Sequence, residues 1–265
     1  MGKLKLKERF GGAALITGAS GGLGETFARQ IAADGMDVVL VARRKEKLDA
    51  LAAELRDSYG VRVEVIGQDL TAPDCAPRIK EAVKAKGLEV GLLVNNAGYG
   101  SHGRIETLDK DTEIRMVDLN CRTPVALTCE FVPDMVARKK GGLIFLASIG
   151  AYQPTPFFST YGATKGFNLL LGEALWAELK PQGIDVIALS PGYTRTNFQE
   201  NASVTSKPLG GWSKPEDVVG RCLRKLGRKP STIPGFRNWF LAWSIRFTPR
   251  RMAANLAYTL SKPAH

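Results

Sequence analysis

Tyr161 and Lys165 stand four residues apart in the stretch STYGATKGFNLLLGEAL (residues 159–175), at the entrance to an otherwise apolar helix. Positions i and i+4 share one helical face, so a phenol and an ammonium are presented side by side. A phenol ordinarily ionises at about pH 10, and a cation held beside it favours the phenolate. The spacing therefore predicts a proton-transfer pair in which Lys165 lowers the pKa of Tyr161. A hydroxyl able to polarise the oxygen that receives the proton would complete such a site, and Ser148, Ser159 and Thr160 are the nearby candidates. Ser148 ends an apolar run, at the edge where open α/β sheets bind ligands.

A second chemical signal lies near the N-terminus. TGASGGLGETFA crowds Gly18, Gly21, Gly22 and Gly24 into one turn between an apolar run and a helical stretch. Glycine lets backbone approach a pyrophosphate closely, and the helix that follows aims unpaired N–H groups at the anion. The turn predicts a nucleotide. At the end of the next apolar run, where an acid would accept from a ribose 2'-hydroxyl, VLVARRKEK places Arg43 and Arg44 instead. A guanidinium holds a 2'-phosphate through forked, charge-assisted hydrogen bonds, which selects NADP(H) over NAD(H), with Arg43 the stronger candidate of the two. Farther along, Asn120 sits inside a helical stretch four residues before Pro124. Proline has no N–H, so the carbonyl of residue 120 loses its usual partner, the helix bends there, and the freed carbonyl can hold water.

These residues need elements to position them. From residue 12 the pattern alternates as strand GAALIT, helix GLGETFARQIAADG, strand DVVLVA, helix KEKLDALAAELRDSYG and strand VRVEVIG. A helical stretch at 75–86, strand VGLLVN, a long helix within 111–138, strand LIFLAS, the Tyr161 helix and strand DVIALSP follow. Continuous Val/Ile/Leu strands between helices predict an α/β fold: a single-domain, Rossmann-type, doubly wound parallel sheet with helices on both faces, spanning 1–265. After Pro191 the regular alternation gives way to Gly, Pro and basic residues, expected to form a substrate-covering helical extension over 193–265.

Composition narrows the function classes. The 265 residues are 44% hydrophobic and 24% charged, with a formal net charge of +11. No helix-turn-helix, zinc or RNA-binding signature accompanies the charge, so nucleic acid is not the expected partner. Cys75, Cys121, Cys129 and Cys222 form no CxxC and no secretory leader is evident, which points to reduced thiols in the cytoplasm. The apolar run WFLAWSI is too short to span a membrane. With His102 and His265 the only histidines, the sequence argues against a Ser-His-Asp hydrolase and a His-rich metal site.

The glycine turn, NNAG at 95–98, Ser148, YGATK at 161–165 and PGYTRT at 191–196 occur in that order, and over about residues 8–200 the chain resembles the short-chain dehydrogenase/reductase family, in particular its NADP-dependent 3-oxoacyl and carbonyl reductases. The resemblance implies a catalytic set of Asn120, Ser148, Tyr161 and Lys165, with Asn120 supporting a proton relay through water to the lysine. It assigns Gly18, Ser20, Gly22, Leu23, Gly24, Arg43 and Arg44 to the cofactor, together with Asp69, Leu70, Asn96, Ala97 and Gly98 on the adenosine side. Pro191, Gly192, Thr194 and Thr196 would cup the nicotinamide end, with Tyr161 and Lys165 also touching the cofactor. The chemistry agrees: carbonyl reduction needs hydride at carbon and a proton on the developing alkoxide. An NADP-linked alcohol or hydroxysteroid-type dehydrogenase acting oxidatively is the alternative enzyme. A cofactor-bound sensor or scaffold is the alternative outside enzymes.

For the substrate, Trp212, Phe236, Trp239, Phe240, Trp243 and Phe247 bring aromatic area, interleaved with Arg237, Arg246, Arg250 and Arg251. They suggest a lipophilic carbonyl compound, with an aliphatic tail rewarded at about 0.8 kcal/mol per buried methylene. Two other uses compete for the stretch 236–260: peripheral contact with an anionic membrane, and packing on its own domain or a second subunit of a homo-oligomer.

Overall fold

The computed structural model describes residues 4–196, Phe198 and residues 211–262; His265 lies outside them. Strands β1 (Ala13–Thr17), β2 (Val38–Ala42), β3 (Val63–Gly67), β4 (Val90–Asn95), β5 (Gly141–Leu146), β6 (Ile184–Leu189) and β7 (Ser231–Thr232) form one parallel sheet in the order β3-β2-β1-β4-β5-β6-β7. Strand side chains alternate between the two faces, and both faces are covered. Ala14 and Ile16 join one core with helices α1 (Leu6–Phe10), α2 (Gly22–Ala33), α3 (Lys45–Tyr59) and α8 (Pro215–Lys225). Ala13 and Leu15 join the other, with α4 (Cys75–Ala85), α6 (Thr123–Ala137) and α7 (Ser159–Leu179). This is the doubly wound sheet that the run of apolar strands predicts.

The strand order reverses beside β1: β2 and β3 lie on one side, β4 to β7 on the other. Beyond the carboxyl ends of β1 and β4 the connections diverge to opposite faces and leave a crevice, where such sheets take their ligands. The glycine turn, Arg43, Asn96 and Ser148 follow the carboxyl ends of β1, β2, β4 and β5 at that edge.

Three features depart from the expected pattern. The alternation does not stop at residue 190, since α8 and the two-residue β7 add a seventh strand too short to leave a periodic signature. Helix α1 precedes the first strand and buries Leu6 and Phe10. The long helix within 111–138 is two helices, α5 (Lys110–Val117) and α6, joined by a π turn at residues 118–122. Pro124, lacking an N–H, lets the turn widen, and the Thr123 hydroxyl fastens it to the carbonyls of Asp118 (3.0 Å) and Leu70 (2.6 Å). After β7 come α9 (Phe236–Ser244) and α10 (Arg250–Ser261). No described helix is long and apolar enough to cross a membrane, and the described residues hold no cluster of His, Cys, Asp and Glu suited to a metal ion.

Candidate active site

Thr17 ends β1, and its buried hydroxyl ties the crevice together. It donates to the Val94 carbonyl (3.1 Å) and accepts from the backbone N–H groups of Asn96 (2.9 Å) and Ala97 (3.0 Å). The Asn96 amide answers by donating to the Thr17 carbonyl (2.8 Å). Asn96 is thus a strut between the ends of β1 and β4, which places the glycine turn. Gly18 has φ +66°, in the left-handed region. Gly24 admits no side chain at all, because a Cβ there would lie 2.2 Å from the Gly18 carbonyl oxygen and 2.6 Å from Asn96 Nδ2. Helix α2 therefore starts tight against the turn, and Gly21 precedes it with no side-chain cap and open space in front. Its first N–H groups face that space, the arrangement that binds a phosphate.

The crevice carries positive charge where expected. Arg43 and Arg44 are exposed, and Arg44 Nη2 donates to Ser20 Oγ (3.4 Å) in the glycine turn. Arg44, weighed as the lesser candidate, is thus the one that reaches the turn. Asp69 accepts from the Thr71 N–H (3.0 Å) and hydroxyl (2.8 Å), and these bonds, with the charges of Arg43 and Arg115, hold its carboxyl below the usual range. Leu70 and Leu23 turn their side chains toward the core: Leu70 is buried, and Leu23 packs at the core's edge.

On the other side of the crevice, the segment after β4 lies across the Tyr161 group. A Cβ on Gly98 would stand 2.9 Å from Asn120 Oδ1 and 3.4 Å from Lys165 Nζ, and one on Gly100 would stand 2.9 Å from the Tyr161 ring. Asn120, Tyr161 and Lys165 are therefore brought together beneath residues 98–100. Lys165 is buried and donates to the Leu146 carbonyl (2.8 Å), with Nζ 5.7 Å from the Tyr161 ring centroid. Ser148, just past β5, sets its hydroxyl against the Tyr161 phenol and accepts from the Gly150 N–H (3.1 Å). Ser159 and Thr160 open the same helix as Tyr161, so among the candidates only Ser148 faces it from another element.

The electrostatics run opposite to expectation. Burial pushes the Tyr161 hydroxyl up to about 12, the Ser148 contact opposing, and pulls Lys165 down to about 8. Removal from water disfavours phenolate and ammonium alike. The lysine is also engaged by Leu146 rather than aimed at the phenol oxygen. Without a ligand the pair is an uncharged phenol beside a lysine that gives up its proton more readily than usual.

Asn120 is wholly buried and fully engaged. Its Nδ2 donates to the Tyr99 carbonyl (2.9 Å) and to Thr164 Oγ1 (3.0 Å), and its Oδ1 accepts from the Tyr99 N–H (3.2 Å). The carbonyl freed by Pro124 accepts from Asn168 Nδ2 (2.7 Å), a protein donor where water was expected. Thr164 and Asn168 were not singled out in the sequence, although their i+3 and i+7 spacing from Tyr161 puts both on its helix face.

The loop after β6 closes the crevice. The Pro191 carbonyl accepts from the Ile149 N–H (3.0 Å), the Thr194 hydroxyl donates to the Gly192 carbonyl (3.0 Å), and a Cβ on Gly22 would sit 3.5 Å from the Thr196 side chain. Asn238 of α9 packs directly on Gly192. The extension thus meets the site through Asn238 and, from α10, Tyr258, while Phe236, Trp239, Phe240, Trp243 and Phe247 are exposed. Around Tyr161 stand other rings: Phe198 (centroids 5.3 Å apart) and Phe158 (6.3 Å), continued by His102 on Phe158 and Tyr258 on Phe157. The doublet FF at 157–158 was the available signal for this wall.

The chain belongs to the short chain dehydrogenase family, whose sequence model matches residues 12–207, and is accordingly an oxidoreductase. It is 33% identical to a very-long-chain 3-oxoacyl-CoA reductase of Anas platyrhynchos, over 98% of this chain and 83% of that one. A solved 7beta-hydroxysteroid dehydrogenase superposes with a TM-score of 0.85 at 30% identity, covering 95% of this chain and 98% of that one. A short-chain dehydrogenase from Sphingobium yanoikuyae, solved in complex with NADPH, gives 0.79 at 35% identity, covering 89% and 93%.

Proposed function

We propose that this chain is an NADPH-dependent reductase of lipophilic carbonyl compounds, ketones or 3-oxoacyl groups, with Tyr161 as the proton donor. The observation that carries the reading is the placement of the half-buried Tyr161 phenol, with the Ser148 hydroxyl against it and buried Lys165 one helical turn on, beneath residues 98–100 at the crevice that the glycine turn opens. The cradle fits a dinucleotide phosphate: Gly18 and Gly24 allow the close approach, α2 presents free N–H groups, and Arg43 and Arg44 supply the cation for a 2'-phosphate. Held there, the nicotinamide would be the source of hydride for the carbonyl carbon. Ser148 orients the carbonyl oxygen by donating to it, Tyr161 protonates it, and Lys165 restores the charge balance as the phenol loses its proton. Asn120 steadies the turn under the site. Thr194, and Thr196 beside Gly22, would hold the cofactor's nicotinamide end, and Asp69 and Ala97 its adenosine. The rings of Phe158, Phe198 and Tyr258 suit an apolar substrate.

NADPH consumption measured against ketones graded by chain length, and compared with NADH, tests this. Rates that rise with chain length and strongly prefer NADPH support it, whereas a preference for NADH removes the arginine assignment and binding without turnover of any carbonyl favours a sensor. We further propose a reducing, cytoplasmic setting, supported by four free cysteines. Self-association would run through the exposed Val117, Val125, Phe167 and Leu170, with sedimentation velocity as the check.

A further inference from the structure

Helices α9 and α10 are amphipathic in an unusual sense. On α9 the buried positions are Asn238 and Ala242, and on α10 they are Ala253 and Ala257, so both turn small residues inward. The large apolar side chains point out. On the outer side of α9 and the turn after it, Phe236, Trp239, Trp243 and Phe247 follow one another at helical spacing, with successive ring centroids 5.9, 6.0 and 4.8 Å apart. Phe236 is 77% and Phe247 72% exposed. On α10, Met252, Leu256 and Leu260 make an exposed i, i+4 stripe. An apolar row of this extent on a lone chain marks an interaction surface.

Charge identifies the partner. Ten Lys and Arg and no Asp or Glu follow Asp217, so the last fifth of the chain carries nearly all of the net charge of +11. By helical spacing Arg237 and Arg246 fall on either side of the aromatic row, and Arg250 and Arg251 open α10. A second copy fits poorly, because a two-fold contact through this face would set the same arginines against each other with no carboxylate of the segment between them. Indole and phenyl rings flanked by guanidinium groups match the boundary between acyl chains and phosphate headgroups. We propose that α9 and α10 form a docking surface for an anionic lipid bilayer, on which the protein lies peripherally.

The test uses the full-length protein and sedimentation with vesicles of phosphatidylcholine containing phosphatidylglycerol, against phosphatidylcholine alone. The expected result is binding to the first, at least about tenfold weaker binding to the second, and release at about 0.5 M salt, where screening is short-ranged. A Trp243→Ser/Phe247→Ser variant should lose about tenfold or more in vesicle affinity, and Arg250→Gln/Arg251→Gln about fivefold per arginine. An unchanged thermal transition shows that both variants fold, and neither readout depends on turnover. Failure to sediment with anionic vesicles overturns the proposal, as does undiminished binding by both variants. Loss of self-association in place of vesicle binding assigns the face to a second copy and overturns it, and equal capture of the parent protein and the aromatic variant by soluble polyglutamate or RNA reduces it to charge alone and does the same.

Discussion

The two walls of the crevice are made in different ways. The nucleotide wall, from Thr17 to Gly24 and from Asn96 to Gly98, is backbone held to backbone by the Thr17 hydroxyl and the Asn96 amide, with glycines where no Cβ fits. The substrate wall is side chain against side chain: Phe158 and Phe198 on Tyr161, His102 on Phe158, Tyr258 on Phe157. A backbone wall admits few residue types at each position, and so it recurs. A wall of rings can be rebuilt in many shapes, so the same fold can serve different carbonyl compounds.

If the walls act independently, with the reacting Tyr161 hydroxyl between them, substitutions should sort by wall. Tyr161→Phe should have the largest effect, lowering turnover by about 10²–10⁴-fold while NADPH still binds; cofactor fluorescence titration beside steady-state rates checks both halves, and unimpaired turnover would remove Tyr161 from its role. Next, Arg44→Glu should raise KM for NADPH by about 10–100-fold, with KM for NADH and for the carbonyl nearly unchanged. Phe158→Ala should do the converse, raising the carbonyl KM by about 3–10-fold and sparing NADPH. A rise in both constants in either variant would show the walls to be coupled.

The smallest effect is one of stability and concerns Lys165. Its pKa falls from the ordinary 10.5 to about 8 on folding, so the unfolded chain binds more protons between those values. Stability therefore declines as pH drops from about 10.5 to 8, and the cost of the buried ammonium is fully present below that range. Lys165→Met removes this dependence. Melting curves without cofactor should find the variant gaining on the parent protein as pH falls through that window, a difference of a few degrees, and a constant offset would contradict the assignment.

Much of the nucleotide wall is legible in the sequence because its constraints are local. A turn that allows no Cβ must show glycine, and a pair on one helix face must show its i, i+4 spacing, so Gly18, Gly24, Tyr161 and Lys165 announce themselves. Pro124 likewise announces a break near Asn120, though it does not tell that Asn168, 48 positions later, would take the freed carbonyl. The rings around Tyr161 come from segments near residues 102, 158, 198 and 258, and no local rule brings those together. Phe157 even adopts a φ of +66°, which a bulky residue rarely does and only tertiary packing sustains. The sign of the Tyr161 shift was hidden for the same reason: proximity to Lys165 is written in the spacing, but burial is a property of the whole fold.

The π turn at 118–122 has a consequence for length. It accommodates one residue more than a continuous rod would need, and the widened turn is where Asn120 sits. Excising a single position there would let the two fuse into one continuous α-helix and abolish the widened turn that sets Asn120 against Tyr99. A chain shortened by that one residue could keep its sheet and its glycine turn and still present a misaligned proton donor.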